Sequence, residues 1–274
     1  MSSGKPGRVN RVSGDRMAEI QPGDFWAARI RLLRMHFDSG VGHIGGNLSA
    51  LDLMLVVFHE FLRPADRFVL SKGHSAGALY VTLWSIGRLG EDDLASFHRE
   101  GTLLAAHPPV AGIADVQFAT GSLGHGLSLA AGTALGFRLK NEASHVYCLT
   151  SDGEWQEGST WEALIFAAHQ KLSNLTVIVD HNELQGFGST GDVASMSRLW
   201  EKLAGFDIDV RLIDGHDPDA LRAELRVASD RPRVIVARTV KGRGVSFMEG
   251  RMEWHYLPLS AEQYDRAILE QAIP

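Results

Sequence analysis

The chain has 274 residues, of which 45% are hydrophobic and 22% charged, and its formal net charge is −6. These values are typical of a soluble globular protein, and the negative balance favours neither nucleic acid nor an anionic membrane surface as a partner. The single cysteine, Cys148, excludes an intrachain disulfide and a cysteine metal cluster, and it agrees with a cytoplasmic location.

The N-terminal residues 1–20 carry basic side chains but no apolar segment. We therefore predict a flexible tail there rather than a signal peptide. No apolar run in the chain approaches the roughly 18 residues that span a bilayer. Since no linker stands out after the tail, we predict one domain over residues 21–274.

The predicted elements begin with an amphipathic helix over residues 23–38. A glycine-rich loop is predicted over residues 39–49, and an apolar helix over residues 50–62 with Ser49 as its N-cap. Strands of consecutive apolar residues then alternate with helices. The predicted strands are 67–71, 145–150, 175–180, 208–214 and 233–239, and the predicted helices are 73–87, 91–99, 127–140, 158–172 and 217–229. This repetition predicts an α/β fold, in which a parallel sheet carries helices on both faces.

Polar side chains follow several of the predicted strands, and ligands of such sheets bind beyond the carboxyl ends of the strands. The segments are Lys72-Gly73-His74, Asp152-Gly153 and Asp180-His181-Asn182. The Asp152 carboxylate and the Asn182 amide are oxygen ligands of the kind that Mg²⁺ prefers. Gly153, which lacks a Cβ atom, leaves room for a diphosphate. Taken alone, these residues are compatible with two ordinary loops or with one metal site built from both.

The segment SDGEWQEGSTWEALIFAAHQKLSNLTVIVDHNELQG, residues 151–186, resembles the thiamine-diphosphate motif of the transketolase family. Other segments resemble transketolases in the same order, and the likeness covers residues 24–265. These segments are GHIGGNLSALDLM, DRFVLSKGHSAGALYVTL, HPP, GSLGHGLSLAAGTALG and KGRGVSFMEGRMEWHYLPLS. The resemblance implies the diphosphate-binding domain of a thiamine-diphosphate-binding fold.

The resemblance also implies roles for the matching residues. The implied metal ligands are Asp152, Asn182 and the carbonyl group of Leu184, which would hold Mg²⁺ or, in its place, Ca²⁺ or Mn²⁺. The residues implied to bind thiamine diphosphate are His74, Gly121, Ser122, Leu123, Asp152, Gly153, Glu154, Asn182 and His255. The residues implied in catalysis are His43, His74, His107 and His255, with Glu157 at a subunit interface. Of these histidines, His43 and His107 would face the hydroxyl groups of a donor sugar.

Two residues depart from the family pattern. Ser151 stands where the motif usually begins with Gly, and His125 stands where full-length relatives usually have Gln. The chain resembles only the N-terminal part of a transketolase, as in the split members of the family that have two subunits. We therefore expect a partner subunit that binds the aminopyrimidine ring, an α₂β₂ assembly, and no activity of this chain alone.

The implied reaction is transfer of a two-carbon ketol unit from a ketose or ketose phosphate to an aldose. Histidine side chains suit its proton transfers because their pKa lies near neutrality. Two alternative functions remain open. The chain could be a related carboligase or 2-oxo acid dehydrogenase component, or it could be a non-catalytic subunit that binds the cofactor or regulates an enzyme. A nicotinamide-binding Rossmann protein is disfavoured, because its glycine motif follows a strand whereas GVGHIGG follows a predicted helix.

Overall fold

The computed structural model describes residues 18–271. The predicted tail over residues 1–20 lies almost entirely outside that range, as do the last residues of the predicted domain. The strands of the described part are β1 (Arg67–Leu70), β2 (Val146–Ser151), β3 (Leu175–His181), β4 (Leu184–Gln185), β5 (Gly188–Ser189), β6 (Asp209–Asp214) and β7 (Arg233–Arg238).

Five of these strands form a parallel sheet in the order β1-β2-β3-β7-β6, while β4 and β5 pair as a small antiparallel hairpin. The helices are α1 (Pro22–Ser39), α2 (Ile44–Val56), α3 (Ala76–Ser85), α4 (Glu91–Ala95), α5 (Gly126–Leu139), α6 (Gly158–His169), α7 (Thr190–Ala194), α8 (Leu199–Leu203), α9 (Pro218–Arg226) and α10 (Ala261–Gln271). Every predicted strand is therefore present, and each predicted helix overlaps an observed one.

Two apolar cores lie on opposite faces of the sheet. Successive strand residues point to opposite faces: Ile178 packs with α1, α2 and α3 in one core, whereas Val177 and Val179 pack with α5 and α6 in the other. Strands buried on both faces are the reason for their uninterrupted apolar sequences. The predicted α/β fold with helices on both faces is confirmed.

Helix α2 begins at Ile44, so the predicted glycine-rich loop over residues 39–49 and the predicted N-cap at Ser49 are wrong. A Cβ atom on Gly45 would lie 3.1 Å from the Trp254 side chain and 3.2 Å from its carbonyl oxygen, so the glycine permits a close contact that stabilises the helix. Ser49 lies inside the helix and donates a hydrogen bond to Asp180 at 2.6 Å. The segment GVGHIGG thus joins two helices, which agrees with the rejection of a Rossmann motif.

Helix α2 and its π-helical extension Val57–Phe61 are long and apolar enough to cross a membrane, with a mean hydropathy of 1.2 over residues 44–61. The expectation that no apolar run reaches that length is therefore wrong. However, 83% of the segment is buried inside the protein, against α1, α3 and α9. Such burial is typical of the core helix of an α/β domain.

A buried ion pair joins the strand ends at the carboxyl edge of the sheet. Lys72 and Asp180, both 0% exposed, form this pair, and the Lys72 ammonium also donates to the Gly46 carbonyl oxygen at 3.0 Å. The hydroxyl groups of Ser49 and Thr239 donate to the same Asp180 carboxylate. Burial by itself raises the pKa of Asp180, but Lys72 and the hydroxyl donors outweigh it and hold the pKa below its ordinary value.

Removing one member of this pair should destabilise the fold more than removing both charges. Lys72→Met leaves Asp180 buried without a counter-charge, and we expect a loss of about 3 kcal/mol in the free energy of unfolding. Adding Asp180→Asn removes the stranded charge and should recover about half of that loss. Urea denaturation without cofactor measures the free energy of unfolding of the single and the double variant. As a control, Arg198→Met breaks an exposed ion pair with Glu201 and should cost less than about 0.5 kcal/mol. A double variant less stable than Lys72→Met would contradict the prediction.

Candidate active site

The predicted polar segments meet at the carboxyl edge of the sheet, where they surround a cavity of about 260 Å³. Adjacent strand ends explain the meeting: the Asp152 amide donates to the Asp180 carbonyl oxygen at 3.2 Å, which links the two loops that carry Asp152 and Asn182. The predicted site residues that line the cavity are His43, His74, His107, Gly121, Leu123, Asp152, Gly153, Asn182, Leu184 and His255. Ser122 lies in an adjoining cleft, whereas Glu154 and Glu157 lie outside the cavity.

The oxygen donors of Asp152, Asn182 and Leu184 are held by one tight turn. Glu183 adopts left-handed backbone angles, with φ of 61°, and its amide donates to the Asp152 carboxylate. The Asn182 side-chain oxygen accepts from the Leu184 amide at 3.1 Å. Among the described residues, no cluster of three or more His, Cys, Asp or Glu side chains is arranged to hold a metal ion. A cation here would therefore need the amide and carbonyl oxygens, and further ligands from outside the chain.

This donor set fits a hard divalent cation bound together with a diphosphate. Carboxylate, amide and carbonyl oxygens are the ligands that Mg²⁺ and Ca²⁺ prefer, and Mg²⁺ commonly completes its shell with phosphate oxygens and water. Burial raises the pKa of Asp152 to about 6, because it and the nearby Asp180 carboxylate outweigh the opposing effects of His181 and two backbone amides. The residues present thus fit a metal–diphosphate group.

Two lysine side chains, which sequence reasoning left without a role, supply positive charge to the cavity. Lys72 and Lys241 both line it and are buried. The Lys241 ammonium lies 3.0 Å from His255 Nδ1 and 3.5 Å from the Leu184 carbonyl oxygen. Burial, reinforced by the charge of Lys72, lowers the pKa of Lys241 to about 8. Two ammonium groups in one cavity repel each other, so an anion that binds both would stabilise the site.

Gln185 is a further cavity residue that the sequence analysis missed. Its side-chain Nε2 is buried yet has no hydrogen-bond partner among residues 18–271. A buried donor without a partner is costly, and a phosphate oxygen in the cavity would accept from it. The signal that could have found Lys241 and Gln185 is their position, since each lies shortly after the end of a central strand.

Four histidine rings cluster around the cavity. The centroid of the His43 ring lies 5.7 Å from that of His74, 6.1 Å from that of His107 and 5.0 Å from that of His255. His43 has left-handed backbone angles, with φ of 65°, and its amide donates to the His255 carbonyl oxygen at 3.2 Å. Burial lowers the pKa of His43 to about 4 and that of His255 to about 3, and it holds the pKa of His74 well below its ordinary value. These rings are therefore neutral at pH 7, and their pKa values lie well below the near-neutral range that the sequence analysis expected.

The predicted loop over residues 121–123 is held in place by Glu154. The carboxylate of Glu154 is fully buried and accepts hydrogen bonds from the Gly124 amide at 2.8 Å and from the Ser71 hydroxyl. Its oxygens are thus used by the protein, and Glu154 supports the cavity wall from behind rather than lining the cavity. Gly121 is required because a Cβ atom there would approach the His107 ring to 2.9 Å.

Glu157 is exposed and occupies the N-cap position of α6. It lies beside Gly124, whose own Cβ atom would come within 2.8 Å of the Glu157 side chain. The structure therefore places Glu157 at the surface near the cavity wall, where a second chain can reach it.

Comparison with known proteins identifies one family. Residues 26–270 match the family model described as the transketolase, thiamine diphosphate binding domain. One of the subunits of the apulose-4-phosphate transketolase of Phocaeicola vulgatus is 34% identical over 254 residues, covering 88% of this chain and 90% of that protein. The 6-deoxy-6-sulfo-D-fructose transketolase subunit of a Clostridium species is 33% identical, covering 84% of this chain and 88% of that protein.

Single-chain transketolases match over less of their own length. Human transketolase is 36% identical over 254 residues, which cover 88% of this chain but 40% of the human protein. The solved transketolase from Campylobacter jejuni aligns with a TM-score of 0.83 at 28% identity, covering 93% of this chain and 43% of that chain. The matches do not favour a 2-oxo acid dehydrogenase component or a non-catalytic subunit.

The neutral cavity histidines should make the protein sensitive to mild acid. Because their pKa values lie below the ordinary value of about 6.5, their contribution to stability is complete above pH 6.5 and is lost as the pH falls toward 4. Asp152 acts in the opposite direction, since its pKa is raised. Urea denaturation at pH 7.5 and 5.0 should show lower stability at pH 5.0, with a smaller loss in His74→Gln. The exposed His169→Gln should leave the loss unchanged; a His74→Gln loss equal to wild type would contradict the assignment.

Proposed function

Because this chain belongs to the transketolase family, we propose that it is the N-terminal, thiamine-diphosphate-binding subunit of a split transketolase. With a partner chain, it transfers a two-carbon ketol unit from a ketose donor to an aldose acceptor. The observation that carries the proposal is one cavity that joins oxygen donors, two buried ammonium groups and a histidine cluster. The chain covers nearly the whole length of relatives that are named as subunits, which supports a transketolase divided between two chains.

The chain would hold the diphosphate through charge and directional donors. The ammonium groups of Lys72 and Lys241 and the unpartnered amide of Gln185 all belong to the cavity. Thiamine diphosphate, when bound, supplies a carbon nucleophile that no protein side chain offers. The residues of this chain bind the cofactor, orient it and transfer protons.

We propose Mg²⁺ as the metal, with Ca²⁺ or Mn²⁺ as substitutes. The ligands from this chain are the Asp152 carboxylate, the Asn182 amide oxygen and the Leu184 carbonyl oxygen, which suit a hard cation. The turn at Glu183 supports this set, because its amide binds Asp152 while the residues on either side carry the other two oxygens. The cation anchors the diphosphate and takes no part in bond cleavage.

The histidines move protons at the substrate. The Lys241 ammonium can only donate to His255 Nδ1, so the His255 ring carries its proton on Nε2 and presents it as a donor. The His43 ring adjoins both His255 and His107, and His43 and His107 would accept and return protons of the donor sugar's hydroxyl groups. A neutral imidazole ring offers one nitrogen that can accept a proton and one N–H that can donate.

The partner would dock over a second, wider cleft of about 750 Å³ that adjoins the cavity at His107 and Gly121. Ser122 and His125 line this cleft and are exposed, so a second chain can reach the cofactor there. The exposed Glu157 is available to the same interface. We propose that two copies of each chain assemble as an α₂β₂ heterotetramer in the cytoplasm.

Asp152→Asn should weaken metal-dependent cofactor binding strongly, because a neutral amide oxygen binds Mg²⁺ less tightly than a carboxylate does. We expect the dissociation constant for thiamine diphosphate with Mg²⁺ to rise on the order of 100-fold, measured by titration calorimetry on the reconstituted complex. The fold should survive, because no charge is left stranded. Asp230→Asn, at an exposed position, is the matched control. Normal binding by Asp152→Asn would show that the anchor is assigned to the wrong residue.

The purified chain should show no transketolase turnover until its partner is added. Part of the cofactor site would lie on the partner, so the chain alone lacks the groups that bind the ring. The assay offers apulose 4-phosphate, 6-deoxy-6-sulfo-D-fructose, fructose 6-phosphate and pyruvate as donors, with and without the partner. Turnover by the chain alone would exclude the split form. Turnover of pyruvate but of no ketose would favour the 2-oxo acid alternative.

A further inference from the structure

A hydrogen-bonded chain of side chains lies behind the cavity and reaches its wall from outside. The Asp52 carboxylate, on α2, accepts from the Arg29 guanidinium at 3.0 Å and contacts His216 Nδ1 at 3.0 Å. On the opposite side of the ring, His216 Nε2 accepts from the Val240 amide at 2.9 Å. The side chains of Asp52 and His216 are 8% and 6% exposed. Neither residue lines the cavity.

The orientation of the His216 ring is determined at both nitrogens. A backbone amide can only donate, so Nε2 must be the unprotonated acceptor, and Nδ1 therefore carries the proton and donates to Asp52. Asp52 is held in turn by Arg29. The ring thus connects α2 to the backbone that follows β7, through a single acceptor atom.

The next residue after Val240 is Lys241, whose ammonium faces the cavity. The ammonium contacts His255 Nδ1 and the Leu184 carbonyl oxygen in the cavity, and these contacts require that it be held at the right distance. Its position follows from the backbone on either side of Lys241. On one side the Val240 amide is bound by His216, and on the other the Gly242 amide donates to the Gly45 carbonyl oxygen at 2.9 Å.

We propose that His216, oriented by Asp52, is a positioning residue for cofactor binding. It fixes the Val240–Lys241 backbone so that the Lys241 ammonium meets the diphosphate. The inference rests on the proposed function, in which Lys241 contacts that diphosphate. His216 touches neither cofactor nor substrate, so its effect must pass through Lys241.

A double-mutant cycle tests this dependence. His216→Leu removes the acceptor, and Lys241→Met removes the ammonium while keeping a side chain of similar shape. In the reconstituted complex, His216→Leu should raise the dissociation constant for thiamine diphosphate with Mg²⁺ about tenfold. In the Lys241→Met background the same change should have no further effect.

Conservative variants separate positioning from a general loss of packing. Gln has an oxygen that reaches the place of His Nε2, whereas the shorter Asn reaches only the place of Nδ1. His216→Gln should therefore keep near-normal binding, and His216→Asn should match the loss of His216→Leu. As a control, His59→Leu removes a half-buried histidine whose Nε2 bonds the Ser85 hydroxyl. His59 lies roughly 24 Å along the helix from His43, and this variant should bind normally.

Thermal unfolding of each cofactor-free complex reports whether the variant folds. If His216→Leu does not fold, the comparison of His216→Gln with His216→Asn decides. Equal losses for His216→Leu in both Lys241 backgrounds would overturn the inference, as would normal binding by a folded His216→Leu or His216→Asn. The Asp152→Asn variant, measured in parallel, separates the two hypotheses. If it binds normally, the proposed anchor fails; if it loses binding while His216→Asn does not, only the positioning role fails.

Discussion

The arrangement of the candidate site depends on one buried ion pair, between Lys72 and Asp180. Beyond the strand ends few backbone hydrogen bonds between strands remain, so side chains help to hold these segments together. The Asp180 carboxylate does this by accepting from Lys72, Ser49 and Thr239, which joins the ends of β1, β3 and β7 to helix α2. Lys72, Asp180 and Thr239 are each followed two residues later by a side chain of the cavity. These are His74, Asn182 and Lys241. The geometry of the cavity therefore depends on an ion pair of which one member, Lys72, also lines the cavity.

The sheet could be predicted because each buried parallel strand is a run of consecutive apolar residues. Such a run can be recognised from neighbouring residues alone. The start of α2 could not be predicted, because glycines have low helix propensity and the stabilising neighbour, Trp254, lies far along the chain. Ser49 looked like an N-cap for the same reason, while its actual partner is Asp180. The hairpin of β4 and β5 was missed because two-residue strands have no detectable period.

Within the site, Asp152 and Asn182 could be placed together because adjacent parallel strands bring their loops to one edge. The direction in which a side chain points is harder to predict. Glu154 belongs to the recognised motif, yet its carboxylate turns inward to Ser71 and Gly124. Lys72 stood in a noted segment without a role, because its partner Asp180 is 108 residues away. Buried charge pairs of this kind become visible only when the chain is folded.

Helix α2 also has a consequence for synthesis of the chain. One contact that buries this apolar segment, between Ser49 and Asp180, cannot form until Asp180 has been synthesised. The two residues are 131 positions apart in the chain. At about 5–20 residues per second, the ribosome needs roughly 7–26 s to make that stretch. In that interval the nascent chain carries a segment as apolar as a membrane span before β3 is available to contact it. Transient exposure of one face of this segment is therefore a consequence of the order in which the elements are synthesised.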